Sequence, residues 1–387
     1  MLSRRALLVT GGASVLVLGA GYAGLVAKSG IGPAQAPWKQ AAQGFGDVRL
    51  NAAAYAILAP NPHNLQPWQI RLDGADSLTL FCNLDRRLPE TDPPDRQTTI
   101  GLGAFLELLR QAAAEQGYRA DITPFPEGEP GERLDARPIA QVTFTEDAAI
   151  ARDPLFGMIL QRRTARTKFD PGKPVPEDTR NDMVAETLAL PALASCQIGT
   201  SCESETVSWL KDVCKRAWEI ELRKPATCHE SVIWTRIGAK QVIANPDGIS
   251  LHGPMMEALG MAGMLTAEGM DETGSTAWNS TKSFYDGLID SAAGFAWLNT
   301  TANTRAEQLA AGAAWVRLQM AATKHGVAFQ PLSQALQEFP EMDGPFSEVH
   351  ERIGFAAPSR VQGLFRIGYT VQPAPAPRWP LESRIIT

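Results

Sequence analysis

A short, proline-rich stretch at residues 59–68, APNPHNLQPW, crowds polar side chains together. Its three prolines restrict the backbone, and Asn61, His63, Asn64 and Gln66 supply amide and imidazole groups. Such a rigid loop could hydrogen-bond a planar, polar ligand such as a flavin or a nucleobase. The residues fit equally well a connection without a ligand, in which Asn64 satisfies nearby backbone groups.

Basic side chains cluster in a second stretch, residues 160–170, which reads LQRRTARTKFD. Three arginines and a lysine fall within seven residues, next to two threonine hydroxyls: Arg162, Arg163, Arg166 and Lys168, with Thr164 and Thr167. Guanidinium groups and hydroxyls in this density are suited to a phosphate monoester. A solvated basic turn is the alternative interpretation, and it is the usual one for an isolated run of charge.

A third stretch lies near the C-terminus, where the apolar strand pattern GLFRIGY at residues 363–369 is followed by PAPRWPLESR. Arg366 interrupts the apolar pattern, and Arg378 stands between Pro377 and Pro380. Because the prolines fix the backbone there, Arg378 is a candidate for an anion contact.

These stretches must be positioned by helices and strands. The order in which the sequence predicts those elements indicates an α+β protein with two related halves. The first half has a helix at 38–59, a hairpin of strands at 68–72 and 77–82, an amphipathic helix at 98–117, and strands at 119–124 and 139–144. The second has helices at 154–164, 177–188, 207–222 and 305–325, with strands at 197–199 and 363–369. We therefore divide the chain into halves at 37–150 and 151–387.

Residues 225–278 interrupt the second half with a weak, aperiodic pattern that is rich in glycine and methionine. Connections this long inside a compact protein are usually lids, binding loops or disordered stretches. We expect a lid at about residues 225–280.

The N-terminal region, residues 1–36, contains Gly19, Gly21 and Gly24 in G-x-G-x-x-G spacing, a pattern of dinucleotide-binding folds. A Rossmann-type dehydrogenase would need residues 11–45 to form a βαβ unit, with an acidic residue further on. The twin arginine at positions 4 and 5, the uncharged residues 6–27 and the small residues around Ala34 instead predict a twin-arginine export signal. The uncharged run, about 22 residues, is also long enough for an uncleaved membrane anchor.

The bulk composition of the 387 residues, 44% hydrophobic and 20% charged, is that of an ordinary globular protein. A net charge of −6 gives no reason to expect a nucleic-acid partner. No two of the five cysteines form a C-x-x-C pair, so we expect no metal site. In an oxidising compartment Cys196 could pair with Cys202, or Cys214 with Cys228; buried free thiols are equally consistent.

Together the three stretches resemble motifs of the flavin-dependent nitroreductase family. Residues 60–68 are similar to its P-S-x-x-N-x-Q-P-W loop, with Asn61 in place of serine. Residues 162–166 resemble its R-R-S-x-R segment, with Thr164 in place of serine. Residues 366–369 with Arg378 resemble a strand that ends in I-G-Y before a phosphate-binding arginine.

The order of the motifs differs from an ordinary member, in which the arginine segment precedes the loop and a homodimer holds the flavin at its interface. Here the loop comes about 100 residues earlier, which resembles the Acg-like branch, a fused pseudo-dimer that binds one FMN and covers it with its own lid. The resemblance implies FMN phosphate contacts from Arg162, Arg163, Thr164, Arg166 and Arg378. It implies that the ring and ribityl chain lie near Pro60, Asn61, Asn64, Gln330, Pro331, Leu332 and Ser333.

The resemblance implies a monomeric FMN oxidoreductase of nitroreductase type, and the N-terminal signal predicts that it is exported. It would reduce a nitroaromatic, a quinone or a similar small-molecule acceptor in two-electron steps, with a reductant that the sequence does not identify. The alternative is a flavin-binding or flavin-sequestering protein whose lid denies substrate access to the ring. A Rossmann-type dehydrogenase is the second alternative. We expect the protein in the periplasm or anchored to the outer face of the cytoplasmic membrane, with the twin-arginine translocase as its partner during export.

Overall fold

The computed structural model describes residues 29–354 and 358–387. Helices and strands are mixed throughout this part of the chain, which confirms the α+β class. Most of the predicted export signal, residues 1–28, lies outside the described residues. The part of the 11–45 window that the structure describes, residues 29–45, is helical and holds no strand, so the second strand of a Rossmann βαβ unit is not there.

The first half begins with two helices where the sequence predicted one. Gly44 and Gly46 separate them with φ angles of 82° and 73°, a left-handed backbone that ends the first helix. The elements of this half are α1 (Ala36–Gln43), α2 (Val48–Ala56), β1 (Trp68–Asp73), β2 (Ser77–Cys82), α3 (Arg96–Glu115), β3 (Tyr118–Pro124) and β4 (Ala140–Glu146). The strands form an antiparallel sheet in the order β1-β2-β4-β3.

The second half forms its own antiparallel sheet. Its elements are α4 (Glu177–Leu188), β5 (Cys196–Ser201), β8 (Gly294–Thr300), α11 (Arg305–Lys324), β9 (Ala328–Pro331), β10 (Arg360–Gly368) and, before β10, α12 (Asp343–Ile353). The strand order is β5-β8-β10-β9. A last short strand, β11 (Ile385–Ile386), crosses back to the first half and pairs in parallel with β1.

The two sheets have the same topology. In each half, two antiparallel strands are followed by a long helix and two further strands, and the last strand inserts between the second and the third. A preceding helix, α2 or α4, packs on the long helix of its own half. The halves differ in two connections. β1 joins β2 through a short turn, whereas β5 joins β8 through residues 202–293. The connection from β9 to β10 contains α12, whereas the one from β3 to β4 contains no helix.

The helices α3 and α11 cross at equivalent positions. Gly103 and Gly312 each lie seven residues after the first residue of a 20-residue helix. A Cβ atom at Gly103 would lie 2.1 Å from the carbonyl oxygen of Leu309, and one at Gly312 would lie 1.9 Å from that of Ile100. The contact is reciprocal, as in an isologous interface between two identical subunits.

The first residue of each long helix reaches into the opposite half. Arg96 donates to Gln362 Oε1 over 3.0 Å and contacts Leu336 O, between β9 and β10. Arg305 donates to the carbonyl oxygens of Gly131 and Glu132, 3.0 Å and 2.7 Å away, between β3 and β4. Both buried arginines therefore stabilise the same type of connection in the other half.

The connection between β5 and β8 is called here the insertion. It includes the helix predicted at 207–222, and its residues 225–278 are regularly folded, so the expectation that 225–278 is irregular was wrong. It contains α5 (Ser204–Arg223), α6 (Pro225–Ile233), β6 (Thr235–Ile237), α7 (Gly238–Ala244), β7 (Ile249–Leu251), α8 (Pro254–Met261), α9 (Ala267–Asp271) and α10 (Thr276–Asp290). Two of these helices, α9 and α10, begin at a side-chain cap, Thr266 and Ser275, and a cap needs no long periodic pattern. No helix within 29–354 or 358–387 is long and apolar enough to cross a membrane.

The predicted helix at 154–164 was also wrong. Only a single 3₁₀ turn, Phe156–Met158, forms there. The chain is extended after it because the backbone N–H of Ala165 donates to Phe329 O of β9 over 3.0 Å, a partner distant in sequence. The five cysteines are free thiols, and all except the half-buried Cys202 are buried, so neither possible disulfide forms in this structure.

Candidate functional site

The three motif stretches meet beside the C-terminus of α2. Leu58 O accepts hydrogen bonds from Arg162 Nη2 over 2.5 Å and from Arg378 Nη2 over 3.0 Å. The arginine segment then runs alongside β9. Loop 59–68 from the first half and residues 162–166 from the second therefore border one region.

Loop 59–68 has a strained backbone. His63, Asn64 and Gln66 have φ angles of 47°, 55° and 55°, in the left-handed region that side chains other than glycine seldom adopt. Each such residue costs on the order of 1 kcal/mol and persists only where its surroundings hold it in place, and such strain concentrates at ligand-binding sites. Asn61 helps to hold the loop, since its Oδ1 accepts from the N–H of Gln66 over 2.7 Å.

The polar side chains of the loop bind protein groups on three sides. Gln66 is fully buried; its Nε2 donates to Pro246 O over 2.8 Å and its Oε1 accepts from Trp379 N–H over 2.9 Å. Asn64 Nδ2 donates to Pro377 O over 3.1 Å. These amides fix the shape of the loop, and the predicted contacts of Asn61 and Asn64 with a flavin stay predictions.

Arg378 fastens the C-terminal segment to the end of α2. It is buried, and burial lowers the pKa of its guanidinium to about 9. Its N–H groups donate to the carbonyl oxygens of Ile57, Leu58, Ala59 and Pro377 and to Asn64 Oδ1. A guanidinium has five N–H donors, and five bonds use them all. This arrangement does not support the predicted phosphate contact of Arg378, which we reassign as a positioning residue.

Arg162 and Arg163 lie side by side with different surroundings. Arg162 is buried and donates to Gln319 Oε1 over 3.0 Å, and its Nε is a buried donor with no partner in the described chain. Burial lowers its pKa, and the nearby charges of Arg378 and Arg163 lower it further. Arg163 donates to Leu160 O over 2.8 Å, within its own turn. The hydroxyl of Thr164 accepts from Gln319 Nε2 over 3.3 Å.

Trp38 of α1 lies among three of these arginines, and no pattern in the sequence indicated this contact. The guanidinium carbon of Arg163 is 5.0 Å from the centre of its ring, and those of Arg162 and Arg378 are both 5.7 Å from it. Cation–π contact of this kind stabilises a cation without neutralising it. The first helix after the predicted export segment therefore covers the arginine cluster.

Within the part of the chain that the structure describes, no carboxylate pairs with the arginines of the site. Across residues 29–354 and 358–387, no ion pair is formed by the five arginines that surround the motifs: Arg162, Arg163, Arg166, Arg366 and Arg378. By contrast, the buried Arg317 pairs with Glu107 over 2.8 Å and with Asp153 over 2.5 Å. Buried charges in proteins are normally paired, so this cluster is suited to an anion.

The segment Gln330 to Ser333 reaches the arginine segment through Arg366. Gln330 Oε1 accepts from Arg366 Nε over 2.7 Å, and Arg366 Nη2 donates to Ala165 O over 3.1 Å. Burial lowers the pKa of Arg366 to about 10. Pro331 and Leu332 lie at the end of β9, where Leu332 N–H donates to Leu364 O over 2.8 Å.

The insertion packs directly on loop 59–68. His63 Nε2 lies 3.0 Å from Ser231 Oγ, and the N–H of Gly248 donates to Asn64 O over 3.2 Å. Asp247 accepts from Arg86 over 2.8 Å and from the indole N–H of Trp379 over 2.9 Å. The loop is therefore enclosed between the insertion and the C-terminal segment.

Glu221, a titratable group that the sequence pattern did not indicate, is linked to His63 of loop 59–68 through Ser231. Buried Glu221 accepts from Ser231 Oγ over 3.3 Å and from Gln337 Nε2 over 2.8 Å, and burial raises its pKa to about 7. The pKa of His63 is lowered to about 4 by burial, with a further contribution from the charge of Arg166. His63 is therefore neutral at pH 7.

Comparison with known proteins finds no matching protein-family model. The chain is 37% identical over 126 residues to an uncharacterized protein of Mycobacterium tuberculosis, covering 31% of this chain and 35% of that protein. It is 31% identical over 154 residues to a putative NAD(P)H nitroreductase, acg, of the same organism, covering 38% and 44%. The chain thus spans less than half the length of the curated relatives that it matches.

Solved structures give weaker likenesses. A putative nitroreductase from Anabaena variabilis has a TM-score of 0.41 and 10% identity, over 81% of this chain and 82% of that chain. The FMN-dependent nitroreductase NfnB from Mycobacterium smegmatis, in complex with NADPH, has a TM-score of 0.33 and 17% identity, over 58% and 94%. These scores are too low to establish a shared fold.

Proposed function

We propose that this protein is an FMN-binding oxidoreductase of the nitroreductase type. The observation that carries the proposal is the arginine cluster beside loop 59–68, which no carboxylate of the described chain neutralises. A phosphate monoester carries about −1.5 to −2 charges at pH 7 and three strong acceptor oxygens. It therefore supplies the missing charge and accepts from the available N–H donors.

Arg163, Thr164 and Arg166 are the residues that would hold the phosphate. Arg166 is exposed and makes no hydrogen bond within the described chain, and Arg162 contributes its partnerless Nε. Arg378 and Arg366 position the loop and the arginine segment around them. When bound, FMN supplies two-electron transfer chemistry, and the protein supplies orientation and control of access.

We further propose that the chain is a fused pseudo-dimer with one flavin site. The repeated strand order and the reciprocal crossing of α3 and α11 support this, because they reproduce within one chain an interface between two copies. The loop comes from the first half and the arginine segment from the second. One chain therefore builds one complete site.

Similarity to a putative NAD(P)H nitroreductase supports the assignment to redox chemistry. The twin arginine at positions 4 and 5 and the uncharged residues 6–27 support export by the twin-arginine route. NAD(P)H is not available outside the cytoplasm, so an exported enzyme takes electrons from a quinol, a protein or a small thiol. Its acceptor is a nitroaromatic, a quinone or a similar molecule.

A second candidate function is flavin sequestration with little turnover. It is favoured by the contacts that close the insertion over loop 59–68, namely His63 with Ser231, Gln66 with Pro246 and Asn64 with Gly248. A lid held by three such bonds restricts access of a substrate to the ring.

Two measurements test the proposals in turn. The full chain is purified, incubated with FMN and desalted, and the expected result is a yellow protein with one FMN per chain. A colourless protein that cannot be reconstituted contradicts both functions. Anaerobic stopped-flow mixing with NADPH and with a reduced quinone then follows the flavin absorbance. Rapid bleaching by a donor supports the enzyme, and bleaching by none supports sequestration.

A further inference from the structure

Exposed apolar side chains lie on two helices of the insertion that contact each other, α7 and α8, and on the turn after α8. Met255, Met261 and Met264 are 70%, 76% and 57% exposed, and Ile243 on the neighbouring helix is 40% exposed. No residue of α8 is buried. We call these four residues the apolar tip. Exposed methionine is a flexible apolar surface that commonly marks an interaction site.

The helices that carry the apolar tip form one unit. The N–H of Ala239 in α7 donates to Glu257 Oε1 of α8 over 2.5 Å. A Cβ atom at Gly260 of α8 would lie 3.7 Å from Ile237 of β6, within van der Waals contact. The tip is therefore a fixed surface of the insertion.

Few charges accompany the apolar tip. Residues 233–264 contain Arg236, Lys240, Asp247 and Glu257 as their charged side chains. Arg236 pairs with Asp247 over 2.8 Å, and Glu257 is bonded to the start of α7. Lys240 is exposed, and a cation at the edge of an apolar surface suits anionic lipid headgroups.

The chain that leads from the uncharged N-terminal segment enters the fold on α7. Ile31 and Ala34 pack in a small buried cluster with Ala239 and Val242. The sequence from residue 6 to residue 27 carries no charge and is long enough to cross a bilayer. An anchor at 6–27 would hold α7, and with it the apolar tip, close to the membrane surface.

We propose that the apolar tip docks on the surface of the phospholipid bilayer, next to the point where the N-terminal segment joins the fold. The methionine side chains enter the boundary between headgroups and acyl chains, as the apolar faces of interfacial helices do. This proposal does not depend on the flavin function.

The test uses the full chain in liposomes of phosphatidylethanolamine and phosphatidylglycerol. A photo-crosslinking amino acid is placed at position 261, and in a matched protein at position 371, where Val371 is 87% exposed but lies outside the tip. We expect at least tenfold more lipid adduct from position 261. Equal yields at the two positions, or adducts between two copies of the chain in place of lipid adducts, would overturn the proposal.

A second variant guards against misfolding. With the photo-crosslinker at position 264, the double substitution Met255→Glu and Met261→Glu is expected to lower the lipid adduct at least tenfold, whereas Val371→Glu leaves it unchanged. The circular dichroism spectrum of both variants reports whether the fold is intact. An undiminished adduct in the folded double variant contradicts docking through the tip.

Discussion

Arg378 and Arg163 carry the same charge and contact the same indole ring, but their surroundings give them different roles. Every N–H of Arg378 is bonded to a protein oxygen, so this residue closes the end of α2 and orients loop 59–68. Arg163 is half-buried and bonds carbonyls of its own turn, which an anion can replace. We call Arg378 the clamp, because its hydrogen bonds hold the end of α2, whereas Arg163 is a candidate phosphate-binding residue. Their positions in the structure, and not their residue type, give the two arginines these different roles.

The clamp predicts that Arg378→Lys is strongly destabilising. A lysine ammonium has three donors in place of a planar fork of five, so buried carbonyl oxygens at the end of α2 lose their partners. We expect the free energy of unfolding to fall by about 3 kcal/mol. Urea unfolding followed by tryptophan fluorescence measures it. The exposed Arg152→Lys is the control, with a change under about 0.5 kcal/mol; equal losses would refute the clamp.

His63 predicts a dependence of stability on pH. Its pKa is about 4 in the folded protein, below the ordinary value of 6.5, because the half-buried ring is desolvated and lies near the charge of Arg166. As the pH falls from 6.5 towards 4, the unfolded chain binds a proton that the folded chain does not, so stability decreases. His63→Asn removes the imidazole that titrates, and asparagine tolerates the left-handed backbone.

The expected result is that between pH 7 and pH 4.5 the wild type loses about 2 kcal/mol more unfolding free energy than His63→Asn. Urea titrations at several pH values measure the difference, and the other titrating groups cancel between the two proteins. Parallel pH profiles would show that His63 titrates normally.

At the scale of elements, the sequence predicted what depends on local pattern. The predicted helix 305–325 agrees with α11 (Arg305–Lys324) within one residue, because Thr304 and Glu307 form a capping box and Gly326 ends it. The predicted helix 154–164 failed because Ala165 bonds to β9, a partner about 160 residues away. The insertion was misjudged because most of its helices are short and are held by tertiary contacts, such as the bond from Ala239 to Glu257.

The crossing of α3 and α11 gives a prediction for two glycines at once. Gly103→Ala and Gly312→Ala each place a Cβ atom within about 2 Å of a carbonyl oxygen of the other helix, so the helices must separate. We expect each to lower the free energy of unfolding by about 3 kcal/mol or to prevent folding. Thermal unfolding of purified variants, or the yield of soluble protein, measures this.

Gly344→Ala is the matched control for the crossing. Gly344 lies in α12, and a Cβ atom there would meet no atom within 4 Å. This substitution is expected to leave stability unchanged or to raise it by up to about 1 kcal/mol, through helix propensity. If Gly103→Ala and Gly312→Ala change the free energy of unfolding as little as Gly344→Ala does, the helices α3 and α11 are not in close reciprocal contact.

At the scale of the whole molecule, the site depends on segments that the sequence places far apart. The sequence singled out loop 59–68, the arginine segment and the C-terminal stretch, and the structure brings all three to the end of α2. It could not indicate Trp38, the closed bonding of Arg378 or the Glu221–Ser231–His63 chain, because these depend on which surfaces meet after folding.

The most direct test of the account is the FMN content of a charge-reversed protein. Arg163→Glu with Arg166→Glu changes the local charge by four units at residues that do not hold the end of α2, as Arg378 does. Arg152→Glu with Arg223→Glu makes the same change at two exposed residues outside the motifs, 70% and 58% exposed. After reconstitution and desalting, we expect one FMN per chain in the wild type and the control, and less than a tenth of that in the folded Arg163/Arg166 variant. Equal flavin content in all three proteins would contradict it.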